Sequence, residues 1–341
     1  FGIFADRRIP SRDSARLSRN LILSHAVGTG QPLPVEVVRA AMLVRANTLT
    51  KGHSGVRFEV VNTLLEMLNK GVTPVVPSQG SLGSSGDLGP LSHMALVFTT
   101  DLDDRDEESG LAIFQGEQLT GREAMRRAGI PRIILGPKEG LAVNNGATFS
   151  AAIGALAIWD AVYLSDVAEA ALSLSLEAML GCTSAFDARL HEARGQHGQI
   201  AVAGKVRDLT AGSTLIGSTN RVQDAYSLRC APQVQGASRD AIGFARGVIE
   251  AEINAATDNP LLFDTNVVLS GGNFHGEPVG MVMDFLAIAL AEIAAISERR
   301  VFRMTDAKLN GDLPPMLVDN PEAAGLNSGL MMPQYTAASL V

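Results

Sequence analysis

The stretch Val279-Gly-Met-Val-Met-Asp-Phe-Leu-Ala-Ile-Ala-Leu-Ala-Glu-Ile-Ala-Ala-Ile-Ser-Glu-Arg-Arg-Val-Phe-Arg303 contains no proline and is apolar nearly all round until Ser297-Glu-Arg-Arg300. It is too long for a strand and predicts a helix that sits inside a bundle. Ala147 to Leu180 reads as a second, very long helix and Arg239 to Asn254 as a third; both are alanine-rich and free of proline. No sustained heptad and no internal repeat accompany them. The expected architecture is all-α, a bundle of long near-parallel helices. Such helices bury little within one subunit, so self-association is expected.

The first part of the chain is more broken. Phe1 to Pro10 reads as a loop, and Ser11 to Ala26 is helical until Gly28 to Pro34 interrupts. Val35 to Leu49 and Val56 to Leu68 are amphipathic helices, with Leu64, Leu65 and Leu68 on one face. Gly71 to Pro77 is extended, as residues before proline tend to be. A helix follows over about Leu91 to Phe98, then a charged turn over Asp101 to Gly110 and a hairpin over Ala112 to Gly121, the one convincing β signal. Arg122 to Ala128 is helical and Pro131 to Pro137 connects. Residues 1–140 are therefore expected as a small mixed N-terminal region and 141–341 as the long-helix bundle.

The 341 residues, 46% of them hydrophobic, suffice for a sizeable core in one large domain or two. The net charge of −8 argues against a nucleic-acid partner, which would call for a basic stripe. Two cysteines, Cys182 and Cys230, form neither a disulfide framework nor a zinc pattern, so a reducing, cytoplasmic setting is expected. No signal peptide opens the chain. The best candidate for a bilayer span, Phe285 to Ile296, is cut by Glu292, so no membrane partner is expected. The chain starts at Phe1 without methionine and stops at Val341 inside an apolar helical pattern, which reads as a piece of a longer polypeptide.

Between the extended segment and the Leu91 helix lies Gly80-Ser-Leu-Gly-Ser-Ser-Gly-Asp-Leu-Gly-Pro-Leu-Ser92. A glycine- and serine-rich run is most often a surface loop. This one runs straight into Asp87-Leu-Gly-Pro, which reads as a helix start with a capping acid and a first-turn proline. A phosphate loop would want a Gly-Lys-Ser/Thr ending, and no lysine is present. A third possibility is backbone chemistry. The unhindered amide nitrogen of Gly86 can attack the carbonyl of Ser84; loss of water closes an imidazolone ring, and loss of a second water from Ser85 leaves an exocyclic methylidene, a strong electrophile.

This segment resembles the signature of the aromatic amino acid ammonia-lyases and aminomutases, whose cofactor is 4-methylideneimidazol-5-one (MIO). The family usually has Ala at the position of Ser84 and often Ala at that of Gly89. Gln223-Asp-Ala-Tyr226-Ser-Leu-Arg229 is similar to the family's Gln-Asp-x-Tyr-Ser/Ala-Leu-Arg, and Lys138-Glu-Gly-Leu-Ala-Val-Asn144-Asn145-Gly146 to its Lys-Glu-Gly-Leu-Ala-Leu-x-Asn-Gly-Thr, with Asn144 replacing an apolar residue and Ala147 a threonine. Thr257-Asp-Asn-Pro260, Ser270-Gly-Gly-Asn273-Phe274-His275-Gly276 and Ser297-Glu-Arg-Arg300 also match, and Met316 stands where Phe is usual. The resemblance covers nearly the whole chain through at least five separated motifs.

It implies roles. Ser84, Ser85 and Gly86 would form the MIO, with no pyridoxal phosphate and no metal. Arg229 would clamp the substrate carboxylate in two parallel hydrogen bonds. Tyr226 would assist proton handling or the leaving amine, Gln223 would donate hydrogen bonds nearby, Asn145 would contact the carboxylate and the MIO oxygen, and Phe274 would lie beside the substrate ring. His25 would bear on the substrate, since histidine and tyrosine enzymes tend to carry His there. Alone, each has a plainer reading: a surface ion pair for Arg229, a core cap for Tyr226, a helix-capping buried amide for Asn145, a structural histidine for His25. His53, His93, His191 and His197 are read as structural, and none forms a metal pair at i, i+4.

Within the family, Ser24-His25, the Tyr-Ser-Leu-Arg-Cys run and Asn273-Phe-His275-Gly look most like the histidine ammonia-lyases. The implied reaction is elimination of ammonia from an aromatic L-amino acid, L-histidine to urocanate, in a homotetramer. Addition of the substrate amine to the electrophile makes it a good leaving group, splitting a hard elimination into easier steps. The family's base tyrosine would lie a few residues before Phe1, and the residue that selects the substrate side chain beyond Val341. Tyrosine or phenylalanine ammonia-lyases and 2,3-aminomutases remain as alternatives, as does a catalytically inactive helical scaffold. Aspartase-type lyases are disfavoured because their Gly-Ser-Ser…Met-Pro-x-Lys loop is not found.

Overall fold

The computed structural model describes residue 4 and residues 6–341. The fold is all-α. Its helices are α1 (Ser14–His25), α2 (Val35–Thr50), α3 (Phe58–Lys70), α4 (Leu88–Phe98), α5 (Gly121–Arg127), α6 (Glu139–Asn144), α7 (Thr148–Ala178), α8 (Ala188–Glu192), α9 (His197–Leu209), α10 (Tyr226–Arg229), α11 (Ala231–Glu252), α12 (Glu277–Thr305) and α13 (Met331–Ser339). Among the described residues, nine strands of two to four residues stitch the loops: β1 (Thr29–Pro32), β2 (Thr73–Pro74), β3 (Pro77–Gln79), β4 (Thr99–Thr100), β5 (Leu111–Phe114), β6 (Glu117–Thr120), β7 (Ile133–Ile134), β8 (Leu261–Asp264) and β9 (Val267–Leu269). The leading loop expected over Phe1 to Pro10 falls partly outside the described residues.

The chain forms two compact units. One comprises Phe1–Leu156 and Gly247–Met281, the other Ala157–Arg246 and Val282–Val341.

In the first unit, α4 is the centre. Leu91, Met94, Ala95, Leu96, Val97 and Phe98 are all buried, so the helix is enclosed on every side. Around it pack Ile22 of α1, Val38, Ala41, Met42, Ala46 and Leu49 of α2, and Val60, Leu64 and Met67 of α3. The α2 residues fall at three- and four-residue steps, the stripe an amphipathic helix buries. Leu65, expected on the buried face of α3, is 36% exposed; Leu64 and Met67 set the buried direction, and Leu65 points away from it. β5 and β6 form the expected hairpin, extended by antiparallel pairing of β5 with β2. β1 pairs antiparallel with β3, so the break after α1 and the segment before the glycine-rich loop are tied together.

In the second unit, Leu172, Leu176 and Met179 at the end of α7 pack with Val202 and Val206 of α9, Leu228 of α10, Ala231 of α11 and Ile296 of α12. Polar links accompany the apolar ones. The Glu169 carboxylate, 1% exposed, pairs with Arg239 of α11 and Lys205 of α9.

Two sequence expectations need correction here. The α12 run does not lie wholly inside: Met281, Phe285 and Ile288 are 52%, 41% and 63% exposed, while Val279, Val282, Leu286, Ala289, Ile293 and Ile296 form a buried stripe at steps of three and four. Further, Glu139–Ala178 and Glu277–Thr305 are long and apolar enough to cross a membrane by length and composition. Glu292 does not prevent this, because one charge scarcely lowers the mean over eighteen residues; the core helices of soluble proteins pass the same test.

Candidate active site

The glycine-rich loop is held by backbone crossings. Residues Gly83–Ser85 form one 3-10 turn, closed by Ser85 N donating to Leu82 O at 2.7 Å. Gly86 follows at φ +85°, ψ −176°, a conformation essentially reserved for glycine. A Cβ there would lie 2.9 Å from Gly146 N. The next amide, Asp87 N, donates to Gly146 O at 2.8 Å. Gly276 N donates to Gly83 O at 2.7 Å, fixing the segment that carries Phe274. At the loop's start, a Cβ on Gly80 would lie 3.1 Å from Gly28 Cα, so the chain just beyond His25 touches it too. Ser84 is exposed and Ser85 half-buried, whereas Gly86 and Asp87 are buried.

Asp87 does not cap α4 as its position suggests; its side chain makes no such bond. It is wholly buried, and its carboxylate accepts from Ser81 Oγ, from Ser150 N at 2.9 Å and from Ser150 Oγ at 3.0 Å. Ser150 lies in the first turn of α7, so Asp87 terminates the 31-residue helix from outside its sequence and ties it to the loop.

Asn145 is 5% exposed and does not cap that helix. Its Nδ2 donates to Asp258 Oδ1 and to Asn259 O, each at 3.2 Å. Asp258 in turn is ion-paired with Lys138. Arg45, fully buried on α2, donates through Nη1 to Asn145 O at 2.7 Å and Thr257 O at 3.3 Å, and through Nη2 to Ala142 O. Its cationic head thus meets the carbonyls that end α6, where positive charge is favoured. Burial lowers the Arg45 pKa to about 10, with the charge of Asp258 opposing. Burial also lowers the pKa of Lys138, again against Asp258 and with Arg45 adding to the fall. Asn144, the departure from the family pattern, is buried and donates to Ser92 Oγ of α4 at 3.0 Å.

His25 ends α1, with Nδ1 2.9 Å from Leu21 O and 3.0 Å from Ser24 Oγ. His93 has the structural role expected: its Nε2 accepts from Gly28 N at 2.9 Å, and burial depresses its pKa. His53 Nδ1 donates to Leu262 O at 3.0 Å, and its ring lies 4.9 Å from that of Phe263.

The second unit carries Gln223, Tyr226 and Arg229. Asp224 is the fixed point of that segment. Its carboxylate accepts from Cys182 N at 2.6 Å and from Arg221 Nη2 at 3.0 Å, while Arg221 Nη2 also donates to Met179 O at 2.7 Å. The turn after α7 is thereby clamped to the start of α10. Tyr226 is 71% exposed, and the Arg229 guanidinium lies 4.5 Å from its ring centroid. Arg229 Nε is buried without a partner among the described residues. Gln223 and Arg229 line a cleft of about 450 Å³ of mixed character, with Arg194, Gln199 and Asp224 on it beside the apolar Leu190 and Val222. No cluster of metal-ligating side chains occurs among the described residues.

Sequence reading gave no role to Arg45, Lys138 or Asp258, and read Asp87 as capping α4 when it caps α7. The signal available was slight: a charged residue inside an apolar helix for Arg45, and for Asp258 only its place in Thr-Asp-Asn-Pro.

Comparison with known proteins agrees with these motifs. A family model described as aromatic amino acid lyase matches residues 1–341. A histidine ammonia-lyase of Caldanaerobacter subterraneus subsp. tengcongensis is 55% identical over 344 residues, covering 100% of this chain and 65% of the relative. Among solved structures, histidine ammonia-lyase from Trypanosoma cruzi superposes with a TM-score of 0.87 at 40% identity, over 99% of this chain and 62% of that one. The Pantoea agglomerans phenylalanine aminomutase gives 0.91 at 35% identity, over 99% and 67%. The chain thus spans about 65% of the length of that curated histidine ammonia-lyase.

Proposed function

This chain belongs to the aromatic amino acid lyase family, and from that membership we propose that it forms the body of an ammonia-lyase that converts L-histidine to urocanate and ammonia. The 55% identity to a histidine ammonia-lyase along the whole chain carries the substrate assignment.

Ser84, Ser85 and Gly86 are the residues that would become the MIO. They fit that group: the glycine nitrogen has no side chain to hinder it, and the Gly86 conformation with its contact to Gly146 admits no other residue. When formed, the MIO supplies an electrophile that turns the substrate amine into a leaving group. The remaining roles belong to side chains. Arg229 binds the substrate carboxylate, and Gln223, in the same cleft, donates hydrogen bonds beside it. Tyr226, stacked under the Arg229 guanidinium, handles a proton near the leaving amine. Phe274, on the segment tied to Gly83 through Gly276, lies beside the substrate ring, and His25 contacts its imidazole. Asp87 holds the reactive loop on the start of α7 by accepting from Ser150 N.

The enzyme works in the cytoplasm as a homotetramer. Trp159, Tyr163 and Leu174 of α7, respectively 76%, 70% and 69% exposed, are the surface such an assembly would cover.

The test is product analysis with the complete polypeptide. L-Histidine, L-tyrosine and L-phenylalanine are supplied in turn, and urocanate, cinnamates and β-amino acids are quantified. Urocanate with loss of two waters from the loop is the expected result. A cinnamate or a β-amino acid as sole product refutes the histidine assignment, and no ammonia from any of the three refutes the lyase reading.

A further inference from the structure

We propose that Arg45 is a positioning residue for closure of the reactive loop: its buried guanidinium holds the Asn145–Gly146 peptide with the N–H side toward Gly86 and keeps that peptide from turning over. The proposal rests on the reading above that Ser84, Ser85 and Gly86 condense. Every residue it invokes belongs to the first unit.

Arg45 stands in α2 and is 0% exposed. A cation is buried only where its hydrogen bonds are met. Here the backbone meets them. Nη1 donates to Asn145 O at 2.7 Å, to Thr257 O at 3.3 Å and to Thr148 Oγ1 at 3.4 Å, and Nη2 donates to Ala142 O. One planar head thus joins the end of α6, the start of α7 and the segment at Thr257. A Cβ on Gly146 would lie 3.0 Å from Arg45 Nη1 and 2.2 Å from Thr257 O, so Gly146 packs directly on this joint.

The reactive loop lies on the far side of the same peptide. The Asn145–Gly146 bond is trans, so its C=O and N–H point in opposite directions. With Asn145 O on Arg45, Gly146 N–H points away from the cation. Gly86 lies against that nitrogen: a Cβ there would be 2.9 Å from Gly146 N. Gly146 N has no hydrogen-bond acceptor among the described residues. Gly146 has φ +131°, where glycine is at ease, so its own backbone offers little resistance to a half-turn of the peptide. Turned over, the peptide would set Asn145 O against Gly86 and take an acceptor from a buried cation, which is costly. Arg45 opposes the turn.

Closure brings Gly86 N onto the carbonyl carbon of Ser84. The first water carries away the Ser84 carbonyl oxygen with the amide hydrogens of Ser85 and Gly86. The second carries away the Ser85 hydroxyl and the Ser85 Cα hydrogen, so no oxidant or reductant is needed. The three residues must be pressed together against a surface that does not yield. The Gly146 peptide is that surface, and Asp87 N on Gly146 O at 2.8 Å ties the loop to it. An N–H presented there suits the electron-rich atoms of the condensing loop, whereas a carbonyl oxygen would repel them.

The test uses the complete polypeptide, made by cell-free synthesis as parent, Arg45→Met, Arg45→Lys and Leu64→Ala. Intact mass is followed with time for the loss of two waters, and thermal unfolding ranks the stability of each chain. Leu64 is 0% exposed in the same core, so its truncation lowers stability with the joint at Arg45 intact. A further chain keeps Arg45 but carries glycolic acid at position 146. Its 145–146 link is then an ester, a weaker acceptor with no N–H to present.

Arg45→Met should dehydrate about tenfold to a hundredfold more slowly than the parent, the range for one lost hydrogen bond to a charged group. Arg45→Lys, whose cation reaches fewer carbonyls, should fall between them. The ester chain should be slow like Arg45→Met, and Leu64→Ala should keep the parent's rate despite its lower melting temperature. If dehydration instead tracks melting temperature in every variant, Leu64→Ala included, Arg45 is a core residue only and the inference is wrong. Should neither Arg45 variant fold, the ester chain decides: dehydration at the parent's rate overturns the inference, and slow dehydration upholds it. A parent that never loses two waters overturns the ring reading and this inference with it. A parent that loses them while Arg45→Met keeps pace overturns the inference alone.

Discussion

Replacing Asp87 by alanine tests whether one buried carboxylate joins the reactive loop to the longest helix. The side chain is wholly buried and accepts from Ser81 Oγ, Ser150 N and Ser150 Oγ. Losing a cap at a helix start costs about 1–2 kcal/mol. Leaving a buried donor without a partner costs about 1–3 kcal/mol. The two hydroxyls can rotate toward other acceptors, but the Ser150 amide cannot; the cap and the stranded donor are one bond, so with the small void left behind the penalty should total roughly 2–4 kcal/mol. Urea unfolding of the complete polypeptide, followed by circular dichroism, should show the midpoint falling with the slope unchanged. Asp87→Asn should fall between parent and Asp87→Ala, because one acceptor oxygen survives while its NH₂ opposes a donor. Intact mass should show fewer molecules lighter by two waters, since the loop is no longer held against Gly146. A loss below about 0.5 kcal/mol for Asp87→Ala would refute the capping role, because even a peptide-scale cap is worth about that much.

Three further outcomes follow from other contacts. Gly86→Ala should yield no dehydrated ring by intact mass and should also lower stability by about 1–3 kcal/mol, because the new Cβ meets Gly146 N at 2.9 Å in a conformation alanine avoids; a variant as stable as the parent would contradict the packing. The side chain of Asp104 is 2% exposed; burial alone would raise its pKa, but hydrogen bonds and charge from Arg132 and Arg19 outweigh this and hold it below the usual carboxylate range. Its contribution is therefore present above the unfolded carboxylate pKa and lost as pH falls through the depressed folded value; Asp104→Asn, which strands two buried guanidinium groups, should cost about 3–5 kcal/mol at neutral pH and flatten the acid limb of the stability curve. Glu252 is shifted the other way, upward, by burial first and by Asp87 second. The folded state holds its proton more tightly, so this group destabilises once pH exceeds its unfolded value of 4.5, the more so up to the raised folded pKa; Glu252→Gln should stabilise at neutral pH, and the gain should vanish below that unfolded value.

The long helices were legible because length, alanine content and missing proline leave few alternatives, and α7 lies within two residues of its expected span at each end. α11 was read as starting eight residues late and ending two too far, since Pro232 and Gly236 near its start are poor helix signals, yet proline is tolerated in a first turn. The buried direction of α12 could not be read. Its apolar residues run all round the helix, so the stripe from Val279 to Ile296 has no contrast in the sequence, and only packing selects it. Apart from the β5–β6 hairpin, the short strands escaped for the opposite reason: two to four residues are too few to show alternation.

The candidate site divides along a similar line. Glycines announce themselves, because a cluster at 80, 83, 86 and 89 demands an explanation, but one letter answers to two requirements. Gly86 is needed by the proposed ring closure and, independently, by its contact with Gly146. Gly89, where the family often carries alanine, is needed here because a Cβ would lie 2.6 Å from Gly80 O. That pairing suggests a chain-specific accommodation: with glycine at 89, the loop's first residue can descend onto α4. Asn144 behaves likewise, since a polar residue in a buried position is matched by Ser92 on the facing helix. Such pairs lie 52 residues apart, and Asn145 and Asp258 lie 113 apart, so spacing carries no trace of them. Motif similarity can name Asn145 as a site residue, but only its partners determine whether it offers a donor or an acceptor.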